Sequence, residues 1–439
     1  MLQACETSPS IRHAIIAIGA LNLSAPLTPS NQVGTLRHQF AFRQYSKSIC
    51  LMRRDVAGGR HDLRTTLIAC LLFYCFESFH GYHELAISQV YTGLKLIREW
   101  TKSYYRPDKE GKIHCKIGSE DPYTVEDDIL RAFGSLEIQV MSYADGRNAD
   151  LHEHYRHCGQ DSIDEMPAVF YELKEARALL ELVIRRSMHW LRSTMHLHNF
   201  SVASSPSSSP TTDGEDFESP MSLFFDVDPT YEEQSVTLKE YERWDKAFQS
   251  LLTNARSRSA CQETFLHAST LRLHWLSGYL SIASNNCRHS LVNDGRFTSE
   301  LEELVDISRI LLSETNRGLD GGFVFDMQII VPLMTVGWVY RHRALRREAV
   351  ELLLKSPRKE GVWDGIVVGK MMAWLAAIEE EGLGCGDDEE EYVPEWAAAR
   401  CIKMGFDPEK REAHVSCLQP VKGSLIGEEV RRETTIPWG

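Results

Sequence analysis

The chain has 439 residues, 43% of them hydrophobic and 25% charged, with a formal net charge of −14. This is the composition of a globular protein with room for one large core or two to three ordinary ones. The acidic balance argues against a nucleic-acid surface of its own, which needs a basic excess or a basic stripe, and against binding to an anionic membrane face.

Helical periodicity dominates. Ser8-Pro9 is a helix start, with Ile11, Ala14, Ile15, Ile18 and Leu21 on one face. A second helix is expected from Leu36 to Arg54, broken by Gly58-Gly59. Asp62 is placed to cap a third, which carries the apolar run Leu67 to Phe76 and ends near Gly81. That run is about half of what a bilayer requires, so it predicts a buried helix and not a span. A fourth helix runs from Glu84 to Trp100, giving two antiparallel pairs. Thr124 to Asp127 resembles a capping box opening a helix through Val140. Gly146 to Ser162 reads as irregular, and Pro167 as the start of a long helix towards His198.

Residues 201–229 are rich in serine and proline and read as a disordered linker, too polar to offset their own ordering entropy. Helices follow over Tyr231 to Ala255, Gln262 to Ser284, Thr298 to Thr315, Phe325 to Leu354 with an interruption near Arg341, and Val362 to Glu380. A loop with the acidic run Asp387 to Glu391 comes next, beside Tyr392 and Trp396. The tail, residues 405–439, carries no helical period and reads as weakly ordered. No sustained strand alternation is apparent, so the fold class is all-α: a multi-helix array of antiparallel helix pairs.

Chemistry-bearing motifs are sparse. The 11 cysteines are odd in number and none has C-x-x-C spacing, which fits free thiols in a reducing compartment. No phosphate-binding glycine loop, nucleophile elbow or H-E-x-x-H is present. The pairs Asp127-Asp128 and Glu302-Glu303 lie on helices, where neighbouring carboxylates point apart, so no acid/base dyad is assigned. His152, His154, His157 and Cys158 are ligand types, but their spacing matches no common zinc site and they read as structural. The basic stretch Arg341, His342, Arg343, Arg346 and Arg347 reads as a helix surface on which Arg347 pairs with Glu351. No catalytic, cofactor, metal or DNA-binding residue is assigned.

Two sets of residues carry a family resemblance. One is Arg346-Arg347-Glu348-Ala349, then Leu352-Leu353, then Ser356-Pro357-Arg358-Lys359-Glu360-Gly361-Val362-Trp363-Asp364. Here Gly361 permits a sharp turn and Trp363 is expected to pack on the Leu352 to Leu354 face. Arg358 and Lys359 are expected to stay exposed or to pair with acids. The other set is Ser10-Ile11-Arg12-His13-Ala14 with Ala17-Ile18-Gly19-Ala20, followed by Tyr45 to Ile49. Both resemble the regulatory domain of fungal zinc-cluster transcription factors, over most of residues 1–404.

The resemblance implies a nuclear protein controlling RNA polymerase II transcription, of a metabolic gene cluster for example. It divides the chain into helical halves at 1–200 and 230–404. Implied partners are proteins of the transcription machinery, a dimer mate and a small-molecule effector, with no enzyme activity and no membrane. The family's six-cysteine zinc module is not matched, so zinc is expected only in a segment upstream of Met1, unless the chain is a truncated paralogue. By itself this chain is then not expected to bind DNA specifically. A helical scaffold without a transcriptional role is the alternative.

Overall fold

Asp62 accepts a hydrogen bond from the Thr65 amide at 2.6 Å, and Gly81 closes the same helix in the left-handed region at φ 93°. Both are local signals that act without tertiary help. The computed structural model describes residues 2–23, 32–59, 62–104, 118–202, 231–257, 260–284, 295–315, 322–381, 383, 392–407, 410–421 and 428–438. The expected linker falls, from residue 203 onward, outside the described residues, as does the acidic run Asp387 to Glu391.

The helices in chain order are α1 (Leu2–Thr7), α2 (Pro9–Asn22), α3 (Gln32–Ala57), α4 (Leu63–His80), α5 (His83–Thr101), α6 (Asp127–Tyr143), α7 (Ala149–Tyr155) and α8 (Gln160–Asp164). They continue with α9 (Leu173–Val202), α10 (Tyr231–Ala255), α11 (Gln262–Ser284), α12 (Thr298–Thr315), α13 (Ile330–Met334), α14 (Arg343–Lys355) and α15 (Gly365–Glu380). A π-helical segment, Thr335–Tyr340, extends α13 and stops where Arg341 turns left-handed at φ 51°. The fold class is all-α, with α2 packed on α3 and α4 on α5. A single apolar core runs from Tyr74 to Trp438, and a second cluster around Ile11, Met52, Leu67 and Phe133 joins it through Leu71 and Leu94. No helix among the described residues is long and apolar enough to cross a membrane.

Two small sheets accompany the helices. In the first, β1 (Phe323–Val324) pairs in parallel with β2 (Lys359–Glu360), which pairs antiparallel with β3 (Trp363–Asp364). In the second, β4 (Arg400–Asp407), β5 (Glu412–Pro420) and β6 (Glu429–Pro437) form an antiparallel meander. Among its described residues the tail is therefore a paired sheet, where weak order is expected from the sequence. Ala413, Val415 and Cys417 alternate inward on β5, but the apolar period of two lasts only over residues 413–417 before Leu418 breaks it. On β6 most side chains are exposed and only Ile436 and the following Trp438 turn in.

Other boundaries differ for identifiable reasons. α9 begins at Leu173 and not Pro167, because the Phe170 amide donates to the Ala247 carbonyl at 3.0 Å and its ring is buried near Trp244. No capping box forms at Thr124: its hydroxyl donates to Asp121 at 2.6 Å, and the Asp127 carboxylate accepts from the Ser119 amide at 2.7 Å. The stretch from Gly146 contains α7 and α8, with Asn148 capping α7 through the Leu151 amide. α13 begins at Ile330 and not at Phe325, because the amides of Gln328, Ile329 and Ile330 are gathered on the Glu360 carboxylate.

The segment Ser356 to Asp364 organises its surroundings. The Glu360 side chain is fully buried and accepts from the amides of Gln328 (2.8 Å), Ile329 (3.0 Å) and Ile330 (3.1 Å), with Arg358 Nε 2.9 Å away as its counter-ion. One carboxylate thus satisfies orphan donors at the start of α13. Gly361 sits at φ 55°, where a Cβ would overlap both Gln139 Oε1 and the Tyr74 hydroxyl. Asp364 caps α15 through the amides of Ile366 (3.0 Å) and Val367 (3.1 Å). Trp363 meets Tyr143 edge-on at 5.0 Å, donates to Ser142 at 3.2 Å, and lies in the same core cluster as Leu353. Arg358 is buried on Glu360, and Lys359 lies 3.8 Å from Asp364.

Glu360→Gln places an amide among donors and strips Arg358 of its counter-ion, so it is expected to cost about 3 kcal/mol of unfolding free energy. Gly361→Ala should cost at least as much through its clash with α4 and α6. Urea melts of both variants check this, and wild-type midpoints would refute the organising role of the segment.

Glu77 gives a pH-dependent prediction. It is 3% exposed and accepts from Tyr45 and weakly from Gln89, and burial pushes its carboxyl up to about 7. The native state therefore holds a proton that the unfolded chain releases near 4.5. This contribution is full below 4.5 and is lost as pH rises through 7. Glu77→Gln should gain stability relative to wild type by about 2–3 kcal/mol more at pH 8 than at pH 5, read from urea melts at the two pH values.

Candidate functional site

The residues singled out by sequence do not converge. His152 is fully buried on α7 and its Nδ1 lies 2.9 Å from His189 Nδ1 on α9, whereas His157 stands exposed and Cys158 faces the His154 carbonyl. Helical spacing sends these side chains in different directions. Among the described residues, no group of three or more His, Cys, Asp or Glu could hold a metal.

His152 instead belongs to a buried ionic cluster. Arg147 bridges Asp145 (2.6 Å) and Glu137 (2.5 Å), and His189 lies 3.5 Å from Glu137. Burial raises both acids, but His189 and Arg147 outweigh it at Glu137, and Arg147 does so at Asp145, holding both carboxyls well below their usual range. Burial pushes His152 down to about 3, so its imidazole stays neutral at ordinary pH.

The basic stretch is not a surface. Arg346 is wholly buried and binds Glu379 and Glu380, and Arg341 meets Glu379 at 2.9 Å. Arg347, though exposed, leans towards Glu380 at 3.6 Å; Glu351 is taken by Lys355. The acid pairs stay apart as expected: Asp128 binds Arg131, Asp127 accepts from the Ser119 amide, and Glu303 binds Arg272.

The site that stands out is a cavity of about 430 Å³ between α6, α9, α11 and the loop before α13. That volume lies in the range of small-molecule pockets. One face of α11 lines it: His267, Thr270, His274, Ser277 and Ser281, spaced by three or four residues. α9 supplies Lys174, Arg177, Glu181, Ile184, Met188 and Leu191, and the loop supplies Asp326, Met327 and Gln328. Charge gathers at one end, where Arg177 bridges Glu181 (2.7 Å) and Asp326 (3.1 Å). Burial raises the Glu181 carboxyl against the pull of Arg177. His274 is a neutral ring, since burial pushes it down to about 4, and its Nε2–H donates to the Gln328 carbonyl at 3.1 Å.

Deeper polar groups are already partnered. Ser187 meets the Tyr241 hydroxyl at 2.9 Å, Ser277 meets Thr335 at 2.9 Å, and Thr270 and Ser281 donate to the carbonyls one turn back. Gly278 lets Tyr241 in, for a Cβ there would fall against its hydroxyl. Ser187, Ser142 and Ser281 donate to carbonyls three or four residues back, while Ser135 donates to the Asp326 carboxylate at 3.4 Å, a long contact to an acid already held by Arg177. The polar stripe on α11, on an otherwise apolar helix, is the sequence signal that could have revealed this cavity.

No protein-family model matches the chain, and no curated protein or solved structure shows significant similarity to it.

Arg147→Met leaves Glu137 and Asp145 buried without their counter-ion. A loss of about 3–5 kcal/mol is expected in chemical denaturation, and a loss under 1 kcal/mol would mean water reaches the cluster.

Proposed function

We propose that this chain is the regulatory, non-DNA-binding region of a fungal transcription regulator that controls RNA polymerase II transcription from the nucleus. It acts through protein partners or a dimer mate and responds to a small-molecule effector in the cavity. Metabolic gene clusters are the target class the resemblance implies. The reading assigns it no enzymatic step, metal or cofactor.

The observation that carries the responsive role is a shared loop. Asp326, Met327 and Gln328 line the cavity, and the Gln328 amide donates to Glu360 while Arg358 donates to the Gln328 side chain. Phe325, one residue earlier, accepts from Gln139 at 2.8 Å. An occupant that shifts this loop therefore acts on the Ser356 to Asp364 segment and the helices it holds, a differential contact of the kind an effector needs. That segment also carries much of the family resemblance.

A one-hybrid assay tests this, with a heterologous DNA-binding domain fused at Met1. Reporter output should change across growth conditions and lose that change in Gln328→Ala. Output that never varies, or a tagged chain excluded from the nucleus, would overturn the transcriptional role in favour of a helical scaffold.

A further inference from the structure

We infer that the cavity takes an extended amphipathic carboxylate, its apolar body laid along α11 and its anionic head at the Lys174 and His267 end. The inference rests on the effector-responsive reading only for its biological meaning, because binding is a property of the purified chain.

Shape comes first. The lining residues of α11 run from His267 to Ile282, which at about 1.5 Å per residue is roughly 22 Å of helix. A volume of about 430 Å³ spread over that length is a channel for a long, slender molecule and not a bowl for a compact one.

Polarity varies along the channel. The inner hydroxyls of Ser187, Tyr241, Ser277 and Thr335 are spent on one another, so a ligand there gains little from polar atoms. What remains is the apolar wall of Leu180, Ile184, Leu191, Leu271 and Ile282. At the other end Lys174 and His267 are exposed, and no ion pair with either is present among the described residues. The lining holds four cations, Arg131, Lys174, Arg177 and Arg192, against two carboxylates, Glu181 and Asp326, in a chain whose net charge is −14. Both carboxylates are engaged by Arg177, Arg131 by Asp128, and the buried Arg192 donates to the Met141 carbonyl at 2.7 Å beside Asp145, which leaves Lys174 as the cation at the mouth without a protein counter-ion among the described residues. A carboxylate head matches that end, and an ammonium head does not.

The probes are dodecanoate, dodecanol and dodecylammonium, titrated below their aggregation limits into the full chain and read by calorimetry. Dodecanoate should bind saturably at one site, about fivefold to tenfold tighter than the alcohol. Added salt should reduce the difference, because the mouth faces solvent. Lys174→Glu, an exposed change with no partner to disturb, should erase the carboxylate's advantage and leave the alcohol unaffected. Ile184→Trp should block both, with circular dichroism confirming that the helices persist. The inference is overturned if dodecylammonium binds as tightly as dodecanoate, if dodecanoate shows no saturable binding, or if Lys174→Glu changes nothing. Dodecanoate binding without any reporter response would support the ligand assignment and sink the transcriptional reading. A reporter response without dodecanoate binding would do the reverse.

Discussion

A single carboxylate, that of Glu360, fixes where several helices begin. It is buried, so its charge is tolerable only while Arg358 and the amides opening α13 remain on it. That requirement sets the start of α13, and with it the π-helical run whose end puts Arg341 in the left-handed region. The neighbouring glycine lets α4 and α6 approach, and Asp364 starts α15. Four elements far apart in sequence therefore take their positions from one short hairpin.

A second buried ion group does for the tail what Glu360 does for the centre. Glu379 receives Arg341, Arg346 and the Ala399 amide at 2.8 Å, and Gln419 on β5 donates to the carbonyls of Ile378 and Ala397. These contacts fasten the meander to α14 and α15. Buried ion pairs are poor sources of net stability, but they penalise misregistered packings heavily, since any slip leaves a charge alone. An array of amphipathic helices, whose apolar faces tolerate sliding, gains its definition from such groups.

Much of the helical plan was legible from periodicity. α10, α11 and α12 begin and end where their patterns do, and Asp62 and Gly81 bracket α4 as local rules require. Legibility failed where tertiary partners decide. Phe170 is held off α9 by a carbonyl of α10, and the basic stretch reads as surface until the carboxylates of Glu379 and Glu380 are brought to it. The meander is hidden because Ala413, Val415 and Cys417 alternate too briefly for a strand to stand out. The cavity left one trace in the sequence, the polar stripe on α11, but its walls come from separate helices whose juxtaposition no local pattern encodes.

α9 and α10 are held together by Arg186 and Glu240, by Ser187 and Tyr241, and by Trp244 donating to the Ala176 carbonyl. These contacts join the two sides of the core without recourse to the chain between Val202 and Tyr231. The register of α9 against α10, and with it the cavity wall that α9 supplies, is therefore fixed by side chains of the two helices themselves, so a change in the number of residues joining them would leave those walls in place.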